Sequence, residues 1–219
     1  IHLFISVNDN DKPYYDNAKN KLEKYLKCFS LEIYKIPEWL KNIHCCNYEG
    51  NKQKYPNKYK KGIYNCLSMY YNDNKAFNMS LSYAKKNNIK YDYFLKFRAD
   101  LYDVNIEQLI NYMNIKNNIL NVVKPKCFYK MSGIHKVMCI SDCFAWGNIN
   151  IMKTYFNTYN FILEKVKEFK GKYWIWYEEC ITDSIYENKI KFTYIRLLYK
   201  ILQKSKQPGN TDFMAYSLK

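Results

Sequence analysis

The first 36 residues follow a strand, helix, strand order, and this order restricts the fold more than any other feature of the chain. Residues 2–7 read HLFISV, a short apolar run typical of a buried strand. The Asp-Lys-Pro step at 11–13 is a helix start, and a helix is predicted over 14–29. The alternating LEIYKI at 31–36 predicts a second strand. Such an opening favours parallel strand pairing, so we predict an α/β protein.

Apolar and helical patterns continue to alternate along the rest of the chain. Because no linker or internal repeat is visible, we predict one domain over 1–219, with a mostly parallel central sheet and helices on both faces. The predicted helices are 62–88 with a break near 72–74, 106–115, 149–170 and 174–188. The predicted strands are 91–97, 119–123, 137–146 and 191–194, the predicted loops are 42–61 and 124–136, and a basic tail starts at about 197.

The stretch 91–103, YDYFLKFRADLYD, is the predicted functional centre. Its apolar and aromatic half has the composition of a buried strand, and it ends abruptly before Arg98 and Asp100, with Asp103 following. Open α/β sheets bind ligands beyond the carboxyl ends of their strands. An aspartate there can hold Mg²⁺ or Mn²⁺ together with a substrate diphosphate, and a neighbouring arginine can pair with the same phosphates. The alternative is a surface ion pair.

The net charge of +15 has two explanations. Only two of the 35 basic residues are arginines, Arg98 and Arg196, and the abundance of Lys, Asn, Tyr and Ile is typical of an AT-rich genome. The charge can therefore be compositional drift on solvated surfaces. It can also be a field that attracts anions such as nucleotide phosphates, nucleic acid or acidic membranes.

The cysteines and the apolar runs bear on the location of the protein. Eight cysteines include no C-x-x-C pair, which favours a reduced, intracellular protein, and a zinc site at 44–46 (His-Cys-Cys) lacks the paired ligand spacing. No apolar run approaches about 18 residues, so no transmembrane helix is predicted. The N-terminal residues have no signal-peptide features. These observations predict a cytoplasmic protein.

Three further acidic residues stand in unusual surroundings. Asp142 interrupts the apolar run ISDCFAWG, and a buried carboxylate is unfavourable unless it is paired or functional. Glu178 and Glu179 follow three aromatic residues at a predicted helix start. They can stabilise the helix N-terminus through the backbone dipole, or one can serve as a general base. No P-loop, dinucleotide-binding or nucleophile-elbow motif is present.

The order of these segments resembles small GT-A-type glycosyltransferases of large DNA viruses, such as those that decorate chlorovirus capsids, and related bacterial enzymes. The matching pieces are HLFISVND at the start, YD-x-x-x-x-x-R-x-D-L from Tyr91, DCFAWG from Asp142 with Met152 in the next helix, and the acidic pair at 178–179. They span residues 1 to about 200. The resemblance implies a GT-A-like, Rossmann-like domain, located in the host cytoplasm if the protein is viral.

By this resemblance the chain transfers a sugar from a nucleotide sugar, first of all a UDP-sugar, to a glycan or glycoprotein acceptor. Asp100 matches the last acidic residue of the family's Asp-x-Asp motif, and would hold Mn²⁺ or Mg²⁺ against the diphosphate. Arg98 stands where the first Asp of that motif is usual, and it would bind the donor together with Asp103.

The resemblance also implies roles for residues elsewhere in the chain. The donor nucleotide would lie against Ser6, Val7 and Ser68. Asp142 would contact the sugar or the acceptor. Glu178 or Glu179 would deprotonate the acceptor hydroxyl if the reaction inverts the anomeric centre.

Two alternatives to a glycosyltransferase remain open. A basic, tyrosine-rich chain can bind single-stranded nucleic acid, although the scarcity of arginine and the placement of Tyr in apolar runs argue against it, so no nucleic-acid partner is expected. The chain can also be a glycosyltransferase-like domain without catalysis that only binds a glycan.

Overall fold

The computed structural model confirms the α/β class and divides the chain into two compact units. It describes residues 2–8, 28–34, 56–97, 101–102, 111, 118–123, 128–129, 137–169, 175, 177–195, 199–202 and 213–216. Unit 1 contains residues 1–90 and 156–180, and unit 2 contains residues 91–155 and 181–219. The single domain over 1–219 stays a prediction.

Unit 1 contains the parallel strands β1 (His2–Asn8) and β2 (Cys28–Tyr34). This pairing confirms the inference drawn from the strand, helix, strand opening. Because β2 already starts at Cys28, the predicted helix over 14–29 does not reach its predicted end, and most of that helix lies outside the described residues. Alternate residues of β1 face helix α1: His2 and Phe4 both meet the ring of Tyr83 edge-on, with centroids 5.4 and 5.6 Å apart.

Helix α1 (Pro56–Lys86) is longer than predicted, and it is unbroken. The loop predicted through residue 61 is wrong in its last part, because the helix begins at Pro56, a residue suited to a first helical turn. The break predicted near 72–74 is also wrong. Asn74 is held within the helix, since its amide donates to the Phe156 carbonyl at 3.1 Å and its Oδ1 accepts from Asn78 at 3.0 Å.

Unit 1 also contains helix α3 (Thr158–Glu168). Together with α2 (Ile149–Phe156), it replaces the single helix predicted over 149–170. The two are separated by Asn157, whose backbone has φ −80° and ψ 2° and which forms the N-terminal cap of α3. The ring of Phe156 stacks on Phe77 of α1 at 4.8 Å. An apolar helical period therefore predicted the helices but not the break between them.

Unit 2 is built on a four-stranded mixed sheet in the order β3-β8-β5-β9. Its strands are β3 (Phe94–Phe97), β5 (Leu120–Val123), β8 (Phe144–Gly147) and β9 (Phe192–Ile195). All residues of β5 and β8 are buried. The strands predicted over 119–123 and 191–194 are confirmed to within one residue, and that over 91–97 is confirmed from Phe94 onward. The mostly parallel sheet that was predicted is found only in part. The sheet is mixed because β8 runs against its neighbours β3 and β5, whereas β5 and β9 are parallel.

The run over 137–146 forms two strands, β7 (Val137–Met138) and β8, where one was predicted. Strand β7 pairs with β6 (Phe128–Tyr129) within the region predicted as a loop. The tail forms β10 (Tyr199–Leu202) and β11 (Phe213–Tyr216), which join β4 (Leu101–Tyr102) in an antiparallel sheet. Of the helix predicted over 106–115, only residue 111 is described.

Helices α1 and α4 (Tyr177–Glu187) end in the same way. Asn88 and Lys189 take left-handed backbone angles, with φ of 51° and 54°. The next residue then donates its N–H back into the helix, from Ile89 to the Ala84 carbonyl at 2.9 Å and from Ile190 to the Ile185 carbonyl at 3.0 Å. This is the Schellman geometry, in which glycine is the preferred left-handed residue.

We expect Lys189→Gly to raise the free energy of unfolding by about 1 kcal/mol, because glycine adopts positive φ without the steric penalty of a β-carbon. Asn88→Gly should gain less, about 0.5 kcal/mol or below, since asparagine tolerates this region better than lysine does. Urea unfolding of both variants measures the difference. A larger gain for Asn88→Gly than for Lys189→Gly would contradict this account of the helix ends.

Candidate ligand-binding edge of the sheet

One edge of the four-stranded sheet collects the ends of all its strands in the orientation that suits ligand binding. Phe97 at the end of β3 is in register with Phe144 at the start of β8. Strand β5 is antiparallel to β8 and parallel to β9, with Val123 opposite Ile195 at their ends. The carboxyl ends of β3, β5 and β9 therefore meet the amino end of β8 along this edge. Ligands of open α/β sheets bind outside such carboxyl ends.

Asp142 lies in the turn that leads into β8 at this edge, not within a strand as the sequence suggested. It is only 2% exposed, so its carboxylate is removed from bulk water. The Cys143 thiol donates to Asp142 Oδ1 at 3.2 Å. The Cys143 N–H donates to the Ser141 hydroxyl at 3.1 Å, which closes the turn locally. The cost of burying a carboxylate is reduced by such hydrogen bonds.

Side chains from three other elements bond the backbone of residues 138–141, just before Asp142: Tyr155 of α2, Thr182 of α4 and Tyr194 of β9. Each bond links a buried or half-buried side chain to a main-chain group of the turn or of the last residue of β7. Irregular backbone in a protein interior needs such partners, because its N–H and C=O groups are not paired in a ladder. The turn is thus a fixed part of unit 2.

The sequence places a basic residue directly after each of the three strands that end at this edge. Phe97 is followed by Arg98, Val123 by Lys124 and Ile195 by Arg196. These basic residues include both arginines of the chain. The sequence pointed to Arg98 but did not show that Lys124 and Arg196 occupy equivalent positions. Only the strand order shows that β3, β5 and β9 end on the same side of the sheet.

Ser6 and Ser68, both predicted to bind the donor, lie in unit 1, on β1 and α1. Both are buried, with 8% and 9% of their surface exposed. Neither hydroxyl has a hydrogen-bond partner among the described residues. A buried hydroxyl without a partner is unfavourable for stability, and in native proteins it points to a ligand, a water or another functional role.

Glu178 and Glu179 occupy the first turn of α4, which confirms a helix start at this acidic pair. Both side chains are half-buried. Their negative charges stabilise the helix N-terminus through the backbone dipole, which is one of the two roles predicted from the sequence. The same position is compatible with the other predicted role, that of a general base. They belong to unit 1, whereas Asp142 belongs to unit 2.

The remaining predicted site residues are described only in part. Val7 lies in β1, where only the backbone is described. Arg98, Asp100 and Asp103 lie outside the described residues. In the part of the chain that is described, no group of three or more His, Cys, Asp or Glu side chains is arranged to hold a metal ion.

Two buried charged side chains were not anticipated from the sequence. Lys96 in β3 is 7% exposed, while its neighbours Leu95 and Phe97 are exposed on the opposite face. Asp183 in α4 is 9% exposed, between the buried Thr182 and Ser184. The available signal for Asp183 was that Ile181 and Ile185 flank the three polar residues 182–184 in the sequence of α4. No signal in the sequence pointed to Lys96. Alternation within β3 would place its lysine outward, whereas in the structure Leu95 and Phe97 face outward and Lys96 is buried.

Comparison of the chain with protein-family models, curated proteins and solved structures finds no match. Within the described residues, no helix combines the length and the apolar character that a membrane crossing requires. The fold and the candidate edge therefore stand on the geometry of this chain alone.

Proposed function

We propose that the protein is a GT-A-like glycosyltransferase that moves a sugar from a nucleoside-diphosphate sugar, first of all a UDP-sugar, to a glycan or glycoprotein acceptor. The observation that carries this proposal is the buried carboxylate of Asp142 at the edge where β3, β5 and β9 end. A polar group fixed outside the carboxyl ends of parallel strands is the usual setting for a nucleotide-type ligand.

The basic residues that follow the three strand ends suit a diphosphate. A nucleoside-diphosphate leaving group develops negative charge as the glycosidic bond breaks, and fixed positive groups stabilise that charge. Arginine is the best suited side chain, because its planar guanidinium can donate two parallel hydrogen bonds to one phosphate. That both arginines of so lysine-rich a chain directly follow strands ending at this edge supports a role in anion recognition.

The hydroxyls of Ser6 and Ser68, which have no partner among the described residues, support a polar ligand in unit 1. Each can donate one hydrogen bond and accept up to two, which suits the ribose hydroxyls and base carbonyls of a nucleotide. Both residues are among those for which the family resemblance implies donor binding. In the proposal they bind the nucleotide part of the donor, together with β1 at Val7.

A divalent cation is part of the proposal only through Asp100. The described residues do not themselves fit a metal ion, so no step is assigned to one. When bound, Mn²⁺ or Mg²⁺ would neutralise charge on the diphosphate. The protein's own groups would bind and orient: Arg98 and Asp103 the donor, Asp142 the sugar or acceptor, and Glu178 or Glu179 the acceptor proton.

Three of the tyrosines that the structure describes, Tyr70, Tyr155 and Tyr159, are buried and give no support to the nucleic-acid alternative. Tyr70 and Tyr155 are 2% exposed, and their hydroxyls donate to backbone carbonyls within their own units. Burial raises the pKa of Tyr159, with a smaller contribution from Tyr71, whose ring lies 5.2 Å away. Tyr70, Tyr155 and Tyr159 therefore pack in the core and are not available as stacking platforms for bases.

Ser68→Ala tests the proposal because it should lower the affinity for the donor without lowering the stability of the protein. We expect the variant to be as stable as the wild type or more stable by up to about 1 kcal/mol, because it loses a buried hydroxyl without a partner. Its affinity for the nucleotide sugar should fall by about 5- to 10-fold through one lost hydrogen bond. Calorimetric titration with UDP-glucose and GDP-mannose, alongside thermal melting, measures both quantities.

Ser80→Ala is the matched control, since Ser80 is buried on the same helix but its hydroxyl donates to the Phe77 carbonyl. It should lose about 1 kcal/mol of stability and bind the donor normally. Equal donor affinity in wild type and Ser68→Ala would remove Ser68 from the site. No binding of any nucleotide sugar to the wild type would remove the proposed function itself.

A further inference from the structure

Helix α2 carries the Tyr155 hydroxyl back to the turn that precedes β8, the strand directly before the helix. Strand β8 and helix α2 are consecutive, with α2 capped by Asn148, whose Oδ1 accepts the Asn150 and Ile151 N–H groups at 3.0 and 3.2 Å. Four strand residues and eight helical residues have similar lengths, about 13 and 12 Å, so the helix ends near the level where the strand begins. There the Tyr155 hydroxyl donates to the Ser141 carbonyl at 3.0 Å.

Two further side chains bond the main chain between the end of β7 and this turn. The Ile140 N–H donates to Thr182 Oγ1 of α4 at 2.8 Å, and both residues are completely buried. The Tyr194 hydroxyl of β9 donates to the Met138 carbonyl at 2.8 Å. The Tyr194 hydroxyl also lies 3.2 Å from the Cys139 carbonyl oxygen. The three anchors therefore come from α2, α4 and β9, and together they contact the main chain of all four residues that precede Asp142.

We propose that Tyr155, Thr182 and Tyr194 are positioning residues that fix the direction of the Asp142 carboxylate. This inference rests on the proposed function, in which Asp142 contacts the sugar or the acceptor. Residues 139–146 are all buried, but burial by itself does not fix one orientation of a side chain. Directed hydrogen bonds to the main chain give the segment a single defined geometry, which a carboxylate that contacts substrate needs.

Thr182 offers a pair of variants that separates geometry from packing. Thr182→Val keeps the shape but removes the acceptor of the Ile140 N–H, whereas Thr182→Ser keeps the acceptor and loses a methyl group. We expect Thr182→Val to lower kcat by about 10- to 100-fold with little change in donor affinity, since a small misplacement of a reacting group costs that much. Thr182→Ser should recover most of the rate. Tyr155→Phe should resemble Thr182→Val.

The Cys143 thiol gives a second measurement that needs no activity. It is buried beside Asp142, so its alkylation by iodoacetamide in the native protein reports opening of the turn. The buried Cys66 of α1 is the reference thiol for unit 1, and Thr182→Ser is the control for unfolding of unit 2. Thr182→Val should accelerate labelling of Cys143 at least about tenfold relative to Cys66, whereas Thr182→Ser should not. Peptide mass mapping of both thiols at several times gives the two rates.

The outcomes distinguish the inference from the function on which it rests. Unchanged kcat in Thr182→Val and Tyr155→Phe, with only a lower Tm, would overturn the positioning role. Unchanged Cys143 labelling in Thr182→Val would also overturn it. Faster labelling in Thr182→Val alone, in a protein whose wild type neither binds nor cleaves any nucleotide sugar, would support the anchored turn and contradict the glycosyltransferase.

Discussion

Trp146→Ala should lower the free energy of unfolding by about 3–5 kcal/mol, the largest loss of stability that we expect from any single substitution. Trp146 has no exposed surface and lies in β8, between β3 and β5. Its ring meets Phe144 edge-on at a centroid distance of 5.6 Å, and the register places Leu95 and Asn121 opposite it. The free energy of unfolding of a typical domain is only about 5–15 kcal/mol, so this loss is a large fraction of it. Because each 1 kcal/mol shifts the Tm of a chain of this length by about 2–4 °C, the variant should melt roughly 10 °C lower.

Trp146→Phe should behave very differently, because the indole N–H is buried without a hydrogen-bond partner among the described residues. Phenylalanine removes this unsatisfied donor, and that gain of about 1–3 kcal/mol offsets much of the lost packing. We therefore expect Trp146→Phe to lie within about 1.5 kcal/mol of the wild type. Urea unfolding followed by far-ultraviolet circular dichroism compares the two variants. Equal losses in both would mean that the N–H has a partner, such as an ordered water.

Asp142→Asn should reduce turnover of the nucleotide sugar by about 10²- to 10³-fold while the protein stays folded. The substitution keeps the size of the side chain and an oxygen able to accept the Cys143 thiol, but it removes the charge. The effect should appear in kcat, because in the proposed function the carboxylate contacts the sugar or the acceptor and Ser6, Val7 and Ser68 bind the nucleotide. Steady-state release of nucleoside diphosphate measures it.

Asp92→Asn is the matched control for the change of charge. Asp92 is exposed and precedes β3, so it lies at the opposite end of that strand from the candidate edge. Its variant should have wild-type kcat. If Asp142→Asn turns over as fast as Asp92→Asn, Asp142 is a structural carboxylate, as the alternative interpretation of the sequence holds.

The local hydrophobic pattern predicted the helices and strands that no tertiary contact overrides. The parallel pairing of β1 and β2 and the strands β5 and β9 followed from short apolar runs between turn signals. Local pattern failed where a tertiary contact overrides it. Asn74 looks like a helix break, yet its amide and carbonyl oxygen are bonded within unit 1, and α1 continues through it.

The candidate site was predictable in its residue types but not in its arrangement. An aspartate inside an apolar run signalled Asp142, yet the run itself did not show that the strand stops and a turn begins there. That both arginines directly follow strands ending at one edge depends on strand order, which no local pattern contains. The unpartnered hydroxyls of Ser6 and Ser68 likewise depend on how β1 and α1 pack.

The most direct test of the central claim is whether the protein binds and cleaves a nucleotide sugar. The purified chain would be mixed with UDP-glucose, UDP-galactose or GDP-mannose, with and without Mn²⁺, while Tm and the release of nucleoside diphosphate to water are recorded. We predict that at least one donor, at about 100 times its Kd, raises Tm by roughly 5–10 °C and is slowly hydrolysed, and that Asp142→Asn abolishes the hydrolysis. An unchanged Tm and no nucleoside diphosphate release with every donor, in the presence and absence of Mn²⁺, would contradict the proposed function.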